Sequence, residues 1–599
     1  MSQQPSQNSK AQFQAGLAAE ASHDYLLALT HYTASLEAGA DQMGTQLETW
    51  LKIGNLFLRT MKYQQAAETM EFVLGMSPGN VQAVYGLAIS YFYLGRLEEA
   101  CAFIDHAVEM QPDNSSFVLD KANIHSIARP DPAQKLALYK AWGERFADPF
   151  GRQAQPFAYD RAPGRCLRVG YVSGDMRAHA VAYFMEPVFA HHDPSKVEVH
   201  VFATNRQQDD TTAHLQTLVP HWHDVSSLDD NALYKLIRQQ NIDILVDLSG
   251  HTQGHRLYVF ARRAAPIQVT WLGYIGGTLG MQAMDYRLTD WGMDPAGNER
   301  YYVETLFRLH CMASYIPPAN APLAERPPML DGNAPTLVSL NSSRKLTDQT
   351  LLLWKRILEA RPDAQLLLHV QEVSIEDAVN TIEPRLVQLE LPLDRIIVSP
   401  IVPMEEFMTR GTMADVALDS FPVSGGTTTL HTLWMGLPII TMQAEDAVSA
   451  STGSTLHALG LQDWIARDED DYVAKVLALL DKPQALLEHR SHIRDSMRAS
   501  LLMDYAGRCR ELELAFRRLH YNYLAGRHIS LDTQPLGEAS WPWWINGWLK
   551  PSPDKIKREA PAAHERSISP PHPAADAAVA RARTATALSG SHRRQPSLF

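Results

Sequence analysis

Two units of equal length recur near the start of the chain, and their period constrains the fold more than any other feature. WLKIGNLFLRTMKYQQAAETMEFVLGMSPGN (50–80) and YGLAISYFYLGRLEEACAFIDHAVEMQPDN (85–114) align so that Pro78 and Pro112 lie 34 residues apart. The same spacing relates Ala66 to Ala100, Gly54 to Ala88 and Tyr63 to Leu97. A fixed period of this size means stacked helical or mixed units. Small residues belong where two antiparallel helices cross closely, and each proline ends the second helix of its unit. A degenerate earlier copy occupies 15–39, where Tyr25 and Ala28 repeat the spacing of Tyr63 and Ala66. Residues 115–145 are expected to add a final helical pair that docks on the next domain.

The period and pattern resemble tetratricopeptide repeats. That resemblance implies a concave face holding a peptide or protein acceptor. A structural cap, or a homodimerisation element without cargo, is the alternative.

The chain has 599 residues, room for three or four domains. Apolar residues make up 45% and charged residues 20%, which excludes wholesale disorder. Lys and Arg number 54 against 67 Asp and Glu, a net charge of −13 that argues against a nucleic-acid partner. The four cysteines, Cys101, Cys166, Cys311 and Cys509, form no CxxC pair. A disulfide framework or zinc cluster is therefore not expected, and a reducing cytoplasm is. The polar N-terminus is not read as a secretory signal. No run approaches the roughly 18 apolar residues of a membrane span.

From residue 166 the periodicity changes. LRVGYVS (167–173), VEVHVFAT (197–204), IDILVDLSG (242–250), IQVTWLG (267–273) and DYRLTD (285–290) read as strands alternating with helices. A second series comes after them: 336–341, 365–370, 395–400, 415–420 and 438–442. A Pro-rich stretch at 315–335 separates the two. The division predicted is repeats over 1–145, one doubly wound lobe over 146–330, a second over 331–525, and a tail over 526–599. Two such lobes face each other across a cleft lined by strand C-termini. No Walker loop or GxGxxG fingerprint is present. GYIGGTLG (273–280) reads either as a flexible loop or as part of the cleft lining.

Five segments carry a resemblance: 168–184, 243–256, 262–277, 339–347 and 415–442. Together they resemble the O-GlcNAc transferase family of protein glycosyltransferases, which includes the SPINDLY-type O-fucosyltransferases, over roughly 10–525. The resemblance implies the two-lobed GT-B fold after the repeats, with no metal and no cofactor beyond the nucleotide-sugar donor. It also implies sugar transfer to Ser or Thr of proteins.

The residues support that chemistry on their own terms. A leaving diphosphate needs a cation and helix N-terminal amides when no metal is used. In SGGTTTLHTLWMG, Gly425 and Gly426 let the backbone approach a phosphate, and Thr427, Thr428 and Thr429 open a helix. A simple N-cap needs only one threonine. Lys345 and Asn341 match the family's FNxxxK pattern, with Leu340 at the aromatic position, which implies that Lys345 contacts the diphosphate. Arg344 reads as a surface charge. Arg410 matches a family arginine near the diphosphate, or serves as a helix C-terminal cation. His179 matches a cleft histidine that orients the acceptor or contacts the sugar. Asp247 and His251, four apart at a strand end, are candidates for a proton relay. A buried structural histidine is the competing reading for His179 and His251.

Four positions depart from the O-GlcNAc enzymes. Met404 and Phe407 stand where that family has Lys and His, Gly426 where it has His, and His431 where it has a ribose-binding Asp and SPINDLY proteins have Glu. The donor is therefore read as UDP-GlcNAc, with GDP-fucose as the alternative and a degenerate repeat scaffold as the non-enzymatic rival. In the tail, SWPWWINGWLK holds Trp541, Trp543, Trp544 and Trp548, read as a clasp or a docking peptide. The Pro- and Ala-rich residues after it are expected to be disordered.

Overall fold

The computed structural model describes residues 3–526 apart from 40–42, 153, 163, 275 and 371. The tryptophan segment and the tail after it lie outside the described residues. Eight helices come first: α1 (Gln3–Ala21), α2 (Tyr25–Glu37), α3 (Met43–Arg59), α4 (Tyr63–Met76), α5 (Val81–Tyr93), α6 (Leu97–Met110), α7 (Ser115–Ala128) and α8 (Pro132–Trp142). They form four antiparallel pairs, of which α7 and α8 are the last. The repeat is visible at its caps. Asn80 and Asn114, 34 residues apart, each accept from amides of the helix they open. Ala66, Ala88 and Ala100 are fully buried at the crossings.

The first lobe is a seven-stranded parallel sheet in the order β3-β2-β1-β4-β5-β6-β7. Its strands are β1 (Leu167–Ser173), β2 (Val197–Ala203), β3 (His221–Asp224), β4 (Ile244–Asp247), β5 (Ile267–Thr270), β6 (Tyr286–Asp290) and β7 (Thr305–Leu309). The second lobe is a six-stranded parallel sheet in the order β10-β9-β8-β11-β12-β13. It contains β8 (Thr336–Ser339), β9 (Gln365–His369), β10 (Ile396–Ser399), β11 (Val416–Leu418), β12 (Ile439–Met442) and β13 (Ile465–Ala466). Strand order reverses between β1 and β4 in one lobe and between β8 and β11 in the other. Those are the points where a crevice opens at the strand C-termini.

Two sequence readings need correction. The helix Tyr505–Leu524, expected in the second lobe, packs on the first. Its Cys509, Leu512, Phe516 and Leu519 complete the core built by β1, β2, β4 and β5. Hydrophobic periodicity shows which face of a helix is buried, not against which sheet. The glycine-rich loop 273–280 is not flexible filler: Gly277 and Thr278 line a small pocket with Lys135, Asn298 and Tyr302 and, from the second lobe, Glu445 and Asp446. Gly280 has φ +74°, and a Cβ there would meet the Tyr139 carbonyl carbon at 2.2 Å. The loop is the seat for α8, and Tyr274 and Tyr139 share a hydroxyl–hydroxyl hydrogen bond.

The linker is built into the fold. Ala324 N–H donates to Met435 O (2.8 Å), and Tyr315 N–H donates to Leu502 O (2.9 Å). From the helix Pro483–Ala499, Arg494 donates to Pro322 O and to Trp434 O, both at 2.7 Å.

Candidate active site

The two reversal points collect most of the residues that the sequence singles out. Asn341 and Lys345 follow β8, and Asp419 follows β11. The helix Thr427–Trp434 starts immediately after the Gly425–Gly426 turn. Across the cleft, His179 follows β1 and opens the helix Ala180–His191. Tyr183, one turn into that helix, meets the His431 ring edge-on at 5.4 Å and so joins the two walls.

Asp419, which the sequence reading passed over, organises the second-lobe wall. It is 1% exposed. Its Oδ1 accepts from Asn341 Nδ2 (2.9 Å) and Gly425 N–H (2.8 Å), and its Oδ2 accepts from Thr441 Oγ1 (2.7 Å). Burial pushes the carboxyl above its ordinary range, against these hydrogen bonds and the nearby charge of Lys345. Its sequence signal was modest: an acidic residue ending the buried strand DVALDS. The close packing explains one glycine and not the other. A Cβ on Gly425 would lie 2.2 Å from Thr429 Oγ1, whereas on Gly426 its nearest neighbour would be Ser451 Oγ at 3.8 Å.

The three threonine hydroxyls are not equivalent, although all three backbone amides precede the first helical hydrogen bond. Thr429 is fully buried with its hydroxyl 2.7 Å from Thr452 Oγ1. Thr428 Oγ1 donates to Asn341 Oδ1 at 2.9 Å. Asn341 therefore spends both ends of its amide on protein partners and acts as a spacer between Asp419 and Thr428. Thr427 alone keeps its hydroxyl outside these contacts. No side chain caps the helix, and its first backbone acceptance runs from Leu430 N–H to Gly426 O. The preceding amides have no acceptor within the helix, the arrangement that suits an anion. Lys345 donates its Nζ to Ser424 O at 2.7 Å, so its ammonium stands beside the turn that leads into those amides.

Arg410 opens the 3-10 turn Arg410–Met413 that precedes β11, near enough to His369 at the end of β9 for its charge to act there. Its Nη2 pairs with Glu406 at 3.1 Å. Its charge assists burial in lowering His369 to about 4. His431 is 3% exposed, with Nδ1 2.7 Å from the hydroxyl of Tyr315, a fully buried linker residue that the sequence did not flag. Burial pulls His431 down to about 4, so the ring is neutral at pH 7. Phe407 packs against it at 6.1 Å, while Met404 is 39% exposed and stands off.

His179 is half-exposed. Its Nδ1 accepts from Val181 N–H at 3.3 Å, and burial lowers its pKa. A neutral imidazole that accepts at Nδ1 carries its proton on Nε2. In that form the side chain is a hydrogen-bond donor at Nε2, with Asp175 Oδ1 3.7 Å from Nδ1.

The Asp247–His251 relay is not formed. Asp247 accepts from Ser249 N–H, from Gly250 N–H and from Thr270 Oγ1. It is a buried loop organiser. His251 donates Nε2–H to Leu279 O (3.0 Å) and stacks on Tyr139 at 4.8 Å, with Trp142 edge-on at 5.1 Å. Both aromatics belong to α8, so His251 serves the joint between repeats and lobe. Four-residue spacing across a strand end does not fix direction, and the two side chains diverge.

A basic side chain and uncapped helical amides at a reversal point are features that favour a phosphorylated ligand. A model described as glycosyl transferase family 41 matches residues 150–315 and 328–512, and a tetratricopeptide repeat model matches 59–118. The probable UDP-N-acetylglucosamine–peptide N-acetylglucosaminyltransferase SPINDLY of Solanum lycopersicum is 33% identical over 409 residues, 67% of this chain and 44% of that protein. The probable enzyme of the same description named SEC, from Arabidopsis thaliana, is 30% identical over 439 residues, 69% of this chain and 44% of its own length. The chain thus spans about 44% of the length of these curated relatives. A solved mutant of the Thermobaculum terrenum O-GlcNAc transferase has a TM-score of 0.79 and 32% identity, covering 88% of this chain and 100% of the other. Tetratricopeptide repeats followed by paired parallel-sheet lobes match the GT-B arrangement of that enzyme. The chain belongs to glycosyl transferase family 41.

Proposed function

We propose that this chain is a protein O-glycosyltransferase that transfers GlcNAc from UDP-GlcNAc to Ser or Thr hydroxyls of protein acceptors. One observation carries the reading: the uncapped N-terminus of the helix Thr427–Trp434, with Lys345 Nζ 2.7 Å from Ser424 O beside it. In the transfer, the acceptor oxygen bonds to the sugar C1 and gives up its proton. The bond from C1 to the phosphate oxygen breaks, and negative charge grows on the departing diphosphate. Helical amides and the Lys345 ammonium meet that charge as it forms, with no metal or further cofactor in the scheme. His179 offers its Nε2–H from the opposite wall to the sugar or the acceptor. No side chain is assigned as the base. Acceptor proteins lie along the repeats, and the four free thiols suit a reducing cytoplasm.

A second reading, transfer of fucose from GDP-fucose, is favoured by the segments DILVDLSGHT (243–252) and LDSFPVSGGTTTLHTLWMG (418–436), which resemble the SPINDLY branch more closely. The test offers UDP-GlcNAc, GDP-fucose and other nucleotide sugars with protein acceptors, followed by mass spectrometry. Calorimetry with UDP and GDP accompanies it. Modification from UDP-GlcNAc supports the first reading, and modification from GDP-fucose the second. Failure to bind any nucleoside diphosphate would leave a repeat scaffold and overturn both.

A further inference from the structure

The outer edge of the first sheet carries a cluster that glycosyl transfer does not use. Strands β2 and β3 run parallel, with His200 opposite His221 and Phe202 opposite His223. Side chains alternate along a strand, so Glu198 and His200 share a face with His221 and His223. Glu198 Oε1 lies 3.0 Å from His200 Nε2 and 3.4 Å from His221 Nε2. One ligand atom from each of these three residues falls within 4.8 Å of the others. The second carboxylate oxygen is turned away to Arg168 Nε at 3.4 Å. That leaves a single oxygen facing two imidazole nitrogens.

We propose that Glu198, His200 and His221 form a divalent transition-metal site, suited to Zn2+, that clamps the edge strand β3 to β2. Two imidazoles and one carboxylate are a donor set for Zn2+ rather than for Mg2+ or Ca2+, which take oxygen ligands. A tetrahedral ion with ligands at about 2.0–2.1 Å spaces them about 3.3–3.4 Å apart. Two of the three edges here, 3.0 and 3.4 Å, are already near that value. Closing the third needs only rotation of His221, whose side chain is 42% exposed, while His200 is held at 2%. A water completes the fourth position.

The surroundings also suit a ligand set. His200 Nδ1 lies 3.4 Å from His223 Nε2, so the ring nitrogen away from the ion has its own partner. His223 is steadied by stacking on Phe202 at 4.8 Å. The cluster lies toward the N-terminal ends of β2 and β3, opposite the strand ends that build the cleft, so loading it leaves nucleotide binding untouched.

The test uses untagged full-length protein, stripped with chelator and titrated with ZnCl2 by calorimetry. Co2+ serves as a spectroscopic probe of tetrahedral geometry. Wild type should bind one Zn2+ through this cluster and show a higher thermal midpoint with the metal. His221→Ala and Glu198→Gln should each weaken that binding by at least the roughly 10–100-fold lost with an outer-shell partner, and should abolish the midpoint shift. Both positions are partly exposed at a sheet edge, so the variants should fold, and circular dichroism checks this. His214→Ala, an exposed histidine outside the cluster, should change nothing. Equal Zn2+ affinity in wild type and both cluster variants, or no binding by wild type, overturns the proposal.

Discussion

Lys135 in the last repeat helix and Asp446 in the second lobe form an ion pair of 2.6 Å in which neither side chain is more than 4% exposed. Asp446 also caps the helix Ala447–Ala458 by accepting from Val448 N–H. The repeat array is therefore fastened to the lobe that carries the phosphate-binding helix, and not only to the lobe that succeeds it in sequence.

Breaking that pair from one side should be costly. Lys135→Met leaves a buried carboxylate unpaired, and the expected loss is about 3–5 kcal/mol. Adding Asp446→Asn removes the stranded charge and keeps a capping oxygen, so the double variant should recover much of the loss. Denaturant unfolding of the four proteins in a double-mutant cycle measures the coupling. Additive losses would mean that the pair contributes nothing as a pair.

Lys345→Ala should lower transfer on the order of 100-fold or more while the thermal midpoint stays put. Wild-type kcat/KM in the purified variant would remove Lys345 from the leaving-group role. Transfer in the presence of a chelator should match transfer without it.

The two glycines should separate. Gly425→Ala forces a methyl onto Thr429 and Asp419 and should displace the start of the helix, costing about 1–3 kcal/mol and most of the nucleotide affinity. Gly426→Ala has room and should retain much more. Titration of both variants with UDP and GDP checks the order, and equal losses would contradict it.

His251 gives a pH signature. Its ring, buried at the joint with α8, is held to about 3 from an ordinary 6.5. Below pH 6.5 the unfolded chain binds a proton that the folded chain refuses. Stability from this group is complete above 6.5 and falls by about 1.4 kcal/mol per unit as pH drops toward 3. His251→Gln keeps a donor for Leu279 O and should flatten the stability–pH profile between 6.5 and 4.5 by about one proton. His431, His369 and His457, each near 4, act in the same direction, so the comparison is of slopes. An unchanged slope would mean that His251 is not buried neutral.

The repeat period and the two strand series were legible because Pro78, Pro112 and the apolar runs report local conformation directly. The strands that escaped notice were β3, whose HWHD reads as polar, β7, and the two-residue β13. At the site, Lys345 and the helix after Gly425 could be found because glycine, threonine and lysine in sequence imply anion chemistry. Asp419 and Tyr315 act through residues 78 and 116 positions away from them, Asn341 and His431. Nothing local marks such partners. The Asp247–His251 pairing failed for the converse reason, since closeness in sequence placed the two side chains in different hydrogen-bond networks.

The return of Tyr505–Leu524 to the first lobe makes the second lobe an insertion within the first, entered and left through neighbouring segments. The two crossings lie side by side: Tyr315 N–H donates to Leu502 O at 2.9 Å, and the Tyr505 hydroxyl donates to Tyr315 O at 3.0 Å. The second lobe is held at this doubled crossing and again away from it, by Lys135–Asp446 (2.6 Å) and by Ser454 Oγ donating to Asp290 (3.0 Å), so rotation about the crossing has to break those contacts. Tyr315 belongs to the crossing and its hydroxyl also meets His431 Nδ1 at 2.7 Å, so a substitution at Tyr315 touches the crossing and the site wall together. Truncation near residue 500 would likewise strip a face from the first lobe, the opposite of what position in the chain suggests.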